Sequence, residues 1–279
     1  MTVKIVTDSV ADIPPRIIAE LGITVIPVLL RFGEEILRDG IDITTDHFYE
    51  RLAFTKVLPT TAVPSLDMFA RAYAALAKET DQILVIMLSS KLSGMYNAAL
   101  QSAKLMDSHC RIEVMDSGQA VMAQGFAVIR AARAAQQGAG MEELMKKVSH
   151  DMARTEIRAA FDSLTYLQRG GRIGKAQSFL GSMLKINPVI TIKNGVVEPA
   201  GRAHSRGKAL ACLVEFAAGF KRLEELAVED AACPDDGDYL VERLGKFFPK
   251  EKIYRSRTTP VIGAHTGPGL ILVAALGEK

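Results

Sequence analysis

The chain has 279 residues, a hydrophobic content of 48% and a formal net charge of only +2 at pH 7. Such a chain can bury a sizeable core in one large or two modest domains. The near-neutral charge gives no support for bulk nucleic-acid binding, and no stretch approaches the roughly 20 apolar residues of a membrane span.

Cysteine usage and the N-terminus indicate the compartment. Cys110, Cys212 and Cys233 form no CxxC pair, and the histidines are not clustered. We therefore expect neither a disulfide framework nor a metal site, and a reducing compartment. The first ten residues form a strand pattern without the apolar centre of a signal peptide. The sequence predicts a cytoplasmic protein.

The first half of the chain alternates strands and helices. Strands are predicted at 3–6, 24–30, 83–88 and 111–115, with a hairpin at 31–40, and helices begin near Pro14, Thr44, Ser65, Ser93, Gln119 and Met141. This alternation implies right-handed crossovers and a mostly parallel sheet. We expect an N-terminal three-layer α/β/α domain over residues 1–154.

Polar side chains follow these strands. Because ligands of such sheets lie at the carboxyl ends of the strands, we expect these side chains to converge on one edge. They are Asp8, Ser9, Ser90, Ser93, Asp116 and Ser117.

Two hydroxyl-rich stretches are candidate anion sites. Residues 88–97 (LSSKLSGMYN) join a buried strand to a helix N-terminus, where unpartnered N–H groups favour an anion. Ser93 is there either a helix cap or a ligand contact. In residues 59–65, prolines hold Thr60 and Thr61 in an extended loop.

The second half of the chain has a different pattern. Residues 188–192 and 196–198 flank Asn194-Gly195, which predicts a β-hairpin with a type I′ turn. Helices near 205–220 and 238–247 and strands near 226–231, 252–255 and 270–276 follow. We expect an α+β domain over residues 155–279 with a largely antiparallel sheet.

This half also carries the positive charge. Residues 169–208 have a net charge of +7 against −5 for the rest of the chain. The excess indicates either an anionic ligand or a solvated basic face. The basic residues are Arg169, Arg172, Lys175, Lys185, Lys193, Arg202, Arg206 and Lys208.

Two glycine-rich stretches complete the candidates. Arg169-Gly170-Gly171-Arg172 predicts a tight turn that offers guanidinium groups to an oxyanion. His265 is predicted in a glycine-rich loop at 263–269, before the last strand. There is no GxGxxG after the first strand and no P-loop, so the chain has no usual nucleotide motif.

Taken in order, these stretches resemble the DegV family, whose best described members are the fatty-acid-binding subunits (FakB) of bacterial fatty acid kinase. Val63 and Met95 depart from residues frequent in the family, which are glutamine and threonine. The matching stretches are Thr7-Asp8-Ser9 with Asp12, Asp39-Gly40, Pro59-Thr60-Thr61 with Pro64-Ser65, Ser89-Ser90, Leu92-Ser93-Gly94, Asp116-Ser117, Arg169 to Gly174, and Gly263 to Gly269.

The resemblance implies a two-domain DegV-like fold holding one long-chain fatty acid, with its tail in an apolar tunnel. It places five residues at the carboxylate: Thr60, Thr61, Ser93, Gly94 and His265. It makes Arg169, Arg172 and Arg202 candidates for contact with a kinase subunit or for phosphoryl transfer.

The same resemblance implies that two proteins act together, this chain as carrier and a partner as kinase. A partner similar to dihydroxyacetone kinases would bring ATP and magnesium and form an acyl phosphate. This chain would then be a non-catalytic carrier that binds no cofactor of its own and no nucleic acid, and that contacts a membrane surface transiently.

Two other functions fit the residue types. One is a serine hydrolase with Ser93 as nucleophile, His265 as base and Asp8 or Asp116 orienting the base, although Ser93 is not in a GxSxG elbow. The other is a small-anion or phosphosugar binder on a doubly wound sheet.

Overall fold

The structure is a computed structural model that describes residues 2–55, 57–106, 109–182 and 186–279. Lys185, one of the basic residues named above, lies outside these ranges. The strands are β1 Lys4–Asp8, β2 Thr24–Ile26, β3 Leu29–Phe32, β4 Glu35–Arg38, β5 Thr60–Ala62, β6 Gln82–Met87, β7 Arg111–Asp116, β8 Thr155–Ala160, β9 Asn187–Lys193, β10 Val196–Ala203, β11 Arg222–Asp230, β12 Ile253–Arg257 and β13 Ile271–Glu278. The helices are α1 Pro15–Leu21, α2 Thr45–Phe54, α3 Leu66–Leu76, α4 Met95–Leu105, α5 Val121–Gln136, α6 Met141–Ala153, α7 Thr165–Arg169, α8 Arg206–Ala218, α9 Pro234–Leu244 and α10 Pro260–Thr266.

The first sheet is parallel throughout, in the order β2-β1-β6-β7. Alternate side chains of its strands face opposite sides, so Ile5 packs in the core around α5 while Val6 packs in the core around α3 and α4. The predicted three-layer arrangement around a mostly parallel sheet is confirmed.

The second sheet has six strands in the order β10-β9-β8-β13-β11-β12, and its only parallel pair is β11 with β12. The predicted, largely antiparallel sheet is therefore also confirmed. Helices α8 and α9 cover one face, and α5 packs against the other. The predicted division between residues 154 and 155 falls between α6 and β8.

Helix α5 lies between the two sheets. Twelve of its residues are buried, and many of them are alanine or glycine. Buried helices are apolar all round, and small side chains let both sheets approach closely. This central helix joins the cores of the two halves.

Four predicted elements differ in the structure. The run 24–30 is not one strand: Pro27 separates β2 from β3, and β3 joins a separate antiparallel sheet with the order β4-β3-β5. Thr60 and Thr61 are not in a loop but in β5, where Thr61 pairs with Leu30. A three-residue strand between prolines is too short to show a periodic pattern.

His265 is not in a loop but in the last turn of α10. Pro260 occupies the first turn of this helix, and Gly267, at φ 70°, follows its end. The glycine-rich sequence hid the helix because Gly263 serves packing: a β-carbon there would collide with Phe48. Pro234 likewise starts α9 earlier than predicted.

The Asn194-Gly195 turn is the predicted type I′ turn, with φ of 51° and 79°. It also joins the two halves, because Ser89 Oγ donates to the Gly195 carbonyl oxygen at 2.7 Å. Within the described ranges, no helix has the length and apolar composition needed to cross a membrane.

We expect Gly195→Ala to lower the free energy of unfolding by about 2 kcal/mol, because it combines an unfavourable positive φ with a clash. A β-carbon at Gly195 would lie 2.6 Å from Ser89 Oγ. Gly33→Ala is the matched control, since Gly33 has φ 62° in another hairpin turn with nothing within 4 Å. Urea unfolding of both variants measures the difference. Equal losses would show that the contact with Ser89 contributes nothing.

Candidate functional site

A cavity lies where β8, β9, α10 and the start of α5 meet. Its empty space, with the open end included, is about 830 Å³. Seventeen of its 23 lining residues are apolar. The polar ones are Thr61, Ser93, Arg172, Thr191, His265 and Thr266.

Thr61 and His265 form the centre of the polar wall. Thr61 Oγ1 lies 2.8 Å from His265 Nε2. Strand β5 and helix α10 pack against one another, so this contact joins two segments more than 200 residues apart in the chain. Neither residue's neighbours in sequence indicate the pairing.

The His265 ring is held in its neutral form. Burial, and to a smaller extent the charge of Arg172, lowers the pKa of His265 to about 4. Its Nδ1 is buried and makes no hydrogen bond with any described residue. Gly170 leaves space for the ring, because a β-carbon there would collide with Nδ1.

Ser93 lies just before α4 and lines the cavity. Its Oγ accepts a long hydrogen bond of 3.4 Å from the Met95 N–H. Gly94 is the residue before the helix, and it is exposed outside the cavity, next to Val63. The turn before α4 therefore contributes one hydroxyl to the cavity wall.

Arg172 joins the two turns that flank this wall. Its Nε donates to the Leu92 carbonyl oxygen at 3.0 Å, and its Nη1 donates to the Gly170 carbonyl oxygen at 2.6 Å. The guanidinium thus ties the hydroxyl-rich turn to the Gly170-Gly171 turn. It also brings a permanent positive charge to the cavity.

An outer pocket adjoins the cavity at this polar wall. It shares Thr61, Arg172 and His265 with the cavity. Its other lining residues include Thr60 and Arg169, which are both exposed. The polar cluster therefore stands between an apolar cavity and a surface pocket with a larger share of polar lining.

Arg202 lies apart from this cluster. Its guanidinium stacks over the Phe179 ring, 4.7 Å from the ring centroid, and it lines neither the cavity nor the outer pocket. Two other basic residues of the segment 169–208 form ion pairs: Lys175 with Glu198 and Arg206 with Asp236.

The polar residues after the parallel strands do converge on one edge, as predicted, but they bond to the turns themselves. Asp8 accepts hydrogen bonds from the N–H groups of Leu88 and Val10, and burial raises its pKa to about 6. Asp116 accepts from Ser90 and Gly118.

The triad of the serine hydrolase alternative is not assembled among the described residues. Neither Asp8 nor Asp116 has a hydrogen bond to His265 within the described chain, and the Nε2 of His265 is engaged with Thr61 rather than with Ser93.

Buried carboxyl groups hold the two helices that border the cavity. Asp12 accepts a hydrogen bond from the Thr259 N–H, just before α10. Glu229 accepts one from the Met122 N–H, at the start of α5. Burial, and to a smaller extent the nearby Glu229, raises the pKa of Asp12. Asp12, a motif residue of the sequence analysis, thereby positions structure around the cavity.

Prediction from the sequence missed β8 and with it three wall residues, Ile157, Ala159 and Phe161. Their period-two spacing is a strand signal that could have identified them. It also missed Val121, a β-branched residue with φ 55° at the cavity wall. Such strained residues cluster at ligand sites. In the part of the chain that the structure describes, no group of His, Cys, Asp and Glu side chains is arranged to hold a metal ion.

Comparison with known proteins gives consistent matches over the full length. Residues 2–278 match the family described as uncharacterised protein, DegV family. A DegV domain-containing protein of Streptomyces coelicolor is 35% identical over 273 residues, which cover 96% of each chain.

Two solved structures are similar over nearly the whole chain. One concerns fatty acid binding by a DegV family protein of Thermus thermophilus, with a TM-score of 0.91, 32% identity, and coverage of 99% of this chain and 100% of that one. The other is a stearic acid-binding protein of Eubacterium ventriosum, with a TM-score of 0.89, 26% identity, and coverage of 99% and 98%.

Proposed function

Because the chain belongs to the DegV family, we propose that it binds one long-chain fatty acid with the acyl chain in the apolar cavity. The carboxylate would contact Thr61, Ser93 and His265. The observation that carries this proposal is the position of the polar cluster, at the junction of an apolar cavity with a polar outer pocket. The fatty acid binding described for the Thermus thermophilus protein supports it.

The energetics agree with this assignment. Burying about fifteen methylenes contributes on the order of 12 kcal/mol before ordering costs. A buried carboxylate without partners would cancel much of that gain. The hydroxyls of Thr61 and Ser93 and the charge of Arg172 provide the partners. We therefore assign affinity to the tail and orientation to the polar cluster.

The phosphosugar alternative fits less well. A sugar phosphate needs many hydrogen-bonding partners, whereas most of the cavity wall is apolar. The outer pocket has a larger share of polar lining, but it continues into the apolar cavity.

We further propose that the bound carboxylate is phosphorylated by a partner kinase, which brings ATP and magnesium and produces an acyl phosphate. Exposed Arg169 at the outer pocket supports this step, because it stands beside the carboxylate position on the solvent side. Thr60 lines the same pocket and is placed to contact the partner or the transferred group. In this proposal the chain is a carrier without independent catalysis.

Three exposed apolar residues lie close in sequence to the β5 strand of the polar cluster: Phe54, Val57 and Val63. The side chain of Phe54 is 89% exposed. We propose that this segment makes transient contact with the membrane surface during loading.

Substitution of the arginines separates binding from transfer. We expect Arg169→Ala and Arg202→Ala to retain the fatty acid and to slow acyl phosphate formation by a cognate kinase roughly tenfold or more, as loss of one charged contact implies. For Arg172→Ala we expect slower transfer with the acid retained but less well oriented, because its bond to Leu92 is lost. Acid content by mass spectrometry and phosphate transfer from ATP measure the two effects. Loss of acid from the Arg169 and Arg202 variants would contradict their assignment.

The direct test of binding is native mass spectrometry of the purified protein, followed by denaturation and lipid identification. A stoichiometric long-chain fatty acid is the expected result. A protein that is empty and takes up no added fatty acid would remove this function. Ester hydrolysis abolished by Ser93→Ala would instead favour the hydrolase.

A further inference from the structure

The ladder between β8 and β9 is incomplete. These strands pair only at Ala159 with Ile190 and Ala160 with Val189. In contrast, β8 pairs with β13 from Thr155 to Ala160, and β9 continues its pairing with β10. Toward the start of β8, the ladder between the two strands therefore ends, and we call this unpaired stretch of the six-stranded sheet the split.

The split lies at the end of the cavity remote from His265. At the near end, Phe161 follows β8 and lines the cavity with Leu270, which comes soon after the helix that carries His265. Ile157 lines the same cavity four residues earlier, about 13 Å away along the strand. The cavity thus runs along β8 from the polar cluster to the split.

Arg158 bridges the split. Its Nη1 donates across it to Thr191 Oγ1 at 2.9 Å, and also to the Ile157 carbonyl oxygen at 2.9 Å. The guanidinium stacks over the Phe216 ring at 4.8 Å, and only 25% of the side chain is exposed. Arg158 therefore satisfies a backbone carbonyl that faces the unpaired side of β8.

Beyond the split lies a separate polar cleft. It is lined by the edges of both strands and by exposed Lys91 and Lys193. Thr191 and Ile192 line the cleft and the cavity alike. One layer of side chains, held by Arg158, separates the apolar cavity from the solvent side.

We propose that this split is a closed second end of the acyl cavity and that Arg158, by bridging it, sets the longest acyl chain that the protein accepts. The inference rests on the proposed fatty acid binding. A longer acyl chain must displace the Arg158 guanidinium from Thr191, and the guanidinium then loses its hydrogen-bond partners. Without the bridge, further methylenes enter the split and are buried between β8 and β9.

The test is competition between palmitic and arachidic acids, read by native mass spectrometry of the loaded protein. Arg158→Ala is expected to shift the preference toward arachidic acid by about tenfold or more, because arachidic acid is four methylenes longer than palmitic acid and burial of only two of these four implies a factor of that size. Arg158→Met, which keeps an unbranched side chain against Phe216 but has no donor for Thr191, should shift it in the same direction and guards against failure of the alanine variant to fold.

Lys193→Ala is the matched control, because it removes a cation from the same cleft without touching the bridge. Its preference should equal that of the unsubstituted protein. An unchanged preference in both Arg158 variants, with palmitic acid still bound, would overturn the inference while leaving the proposed function intact. Failure of the unsubstituted protein to bind either acid would overturn the proposed function and the inference together.

Discussion

Replacing Thr61 and Ser93 together by alanine is expected to weaken fatty acid binding by about 100-fold or more, because hydrogen bonds to a charged group contribute about 1.5–3 kcal/mol each. Both hydroxyls line the cavity, and Thr61 also contacts His265 at 2.8 Å. Without them, the carboxylate would lose two partners in a largely apolar space. Isothermal titration with palmitate measures the loss.

Two controls separate this effect from general damage. Thr60→Ala removes the neighbouring hydroxyl, which is exposed and lines only the outer pocket, so palmitate affinity should change little. A fatty alcohol of equal length should lose less affinity than palmitate in the double variant, because its head group carries no charge. Equal palmitate affinity in the double variant and the unsubstituted protein would contradict the carboxylate assignment.

The second large effect is a loss of stability as pH rises. Burial raises the pKa of Asp39 to about 7. Burial is also the main cause that raises the pKa of Glu229 to about 8. Burial and the nearby Glu229 also raise the pKa of Asp12. At pH values between the ordinary carboxyl pKa values near 4 and these raised values, the three carboxyl groups bind more protons in the folded state than in the unfolded state. The free energy of unfolding must therefore fall as pH rises from about 5 to 8.

His265 contributes with the opposite sign. Its pKa is lowered to about 4, so the unfolded state binds more protons below its ordinary value of 6.5. This contribution is lost as pH falls from about 6.5 to 4. The two effects together place maximum stability on the acidic side of neutrality.

Glu229→Gln isolates the carboxyl effect. Glutamine can still accept the hydrogen bond from the Met122 N–H and cannot ionise. We expect a gain in the free energy of unfolding on the order of 2 kcal/mol at pH 8.5 and little change at pH 5, where Glu229 is already protonated. Urea unfolding at both pH values measures this.

Glu79→Gln serves as the control, because Glu79 is exposed and pairs only with Lys4 among the described residues. Its effect should stay within about 1 kcal/mol at either pH. Stability that is constant or rises from pH 5 to 8 in the unsubstituted protein would show that the buried carboxyl groups do not titrate as argued.

The sequence by itself determined the two sheet types and the polar turns at the carboxyl ends of the parallel strands. Alternating apolar strands and helices report local periodicity, which is why the parallel half and the Asn194-Gly195 hairpin were predicted correctly. The candidates Thr61, Ser93, Arg172 and His265 were also named from sequence, although through motif resemblance rather than periodicity. Their position at one cavity is a property of the fold.

Only the tertiary structure decided which polar residues face the cavity. Asp8 and Ser93 both follow strands of one sheet, yet Asp8 bonds to the Leu88 N–H while Ser93 lines the cavity. The local sequence does not show which of these side chains bonds to a backbone N–H and which lines the cavity, because backbone donors from distant segments compete for each side chain. The helical placement of His265 was hidden for a related reason: Gly263 signals a turn locally but serves close packing on Phe48.

The bridge at Arg158 is the clearest example of a contact that the local sequence does not predict. Its partner Thr191 is 33 residues away, and the split that it spans exists only because β8 and β9 pair at two positions. Strand periodicity predicts which side chains share a face, but it does not encode register or where a ladder ends. The sequence therefore determined the elements and the chemistry available, and the packing of the two sheets on α5 determined the cavity, its polar end and its closed end.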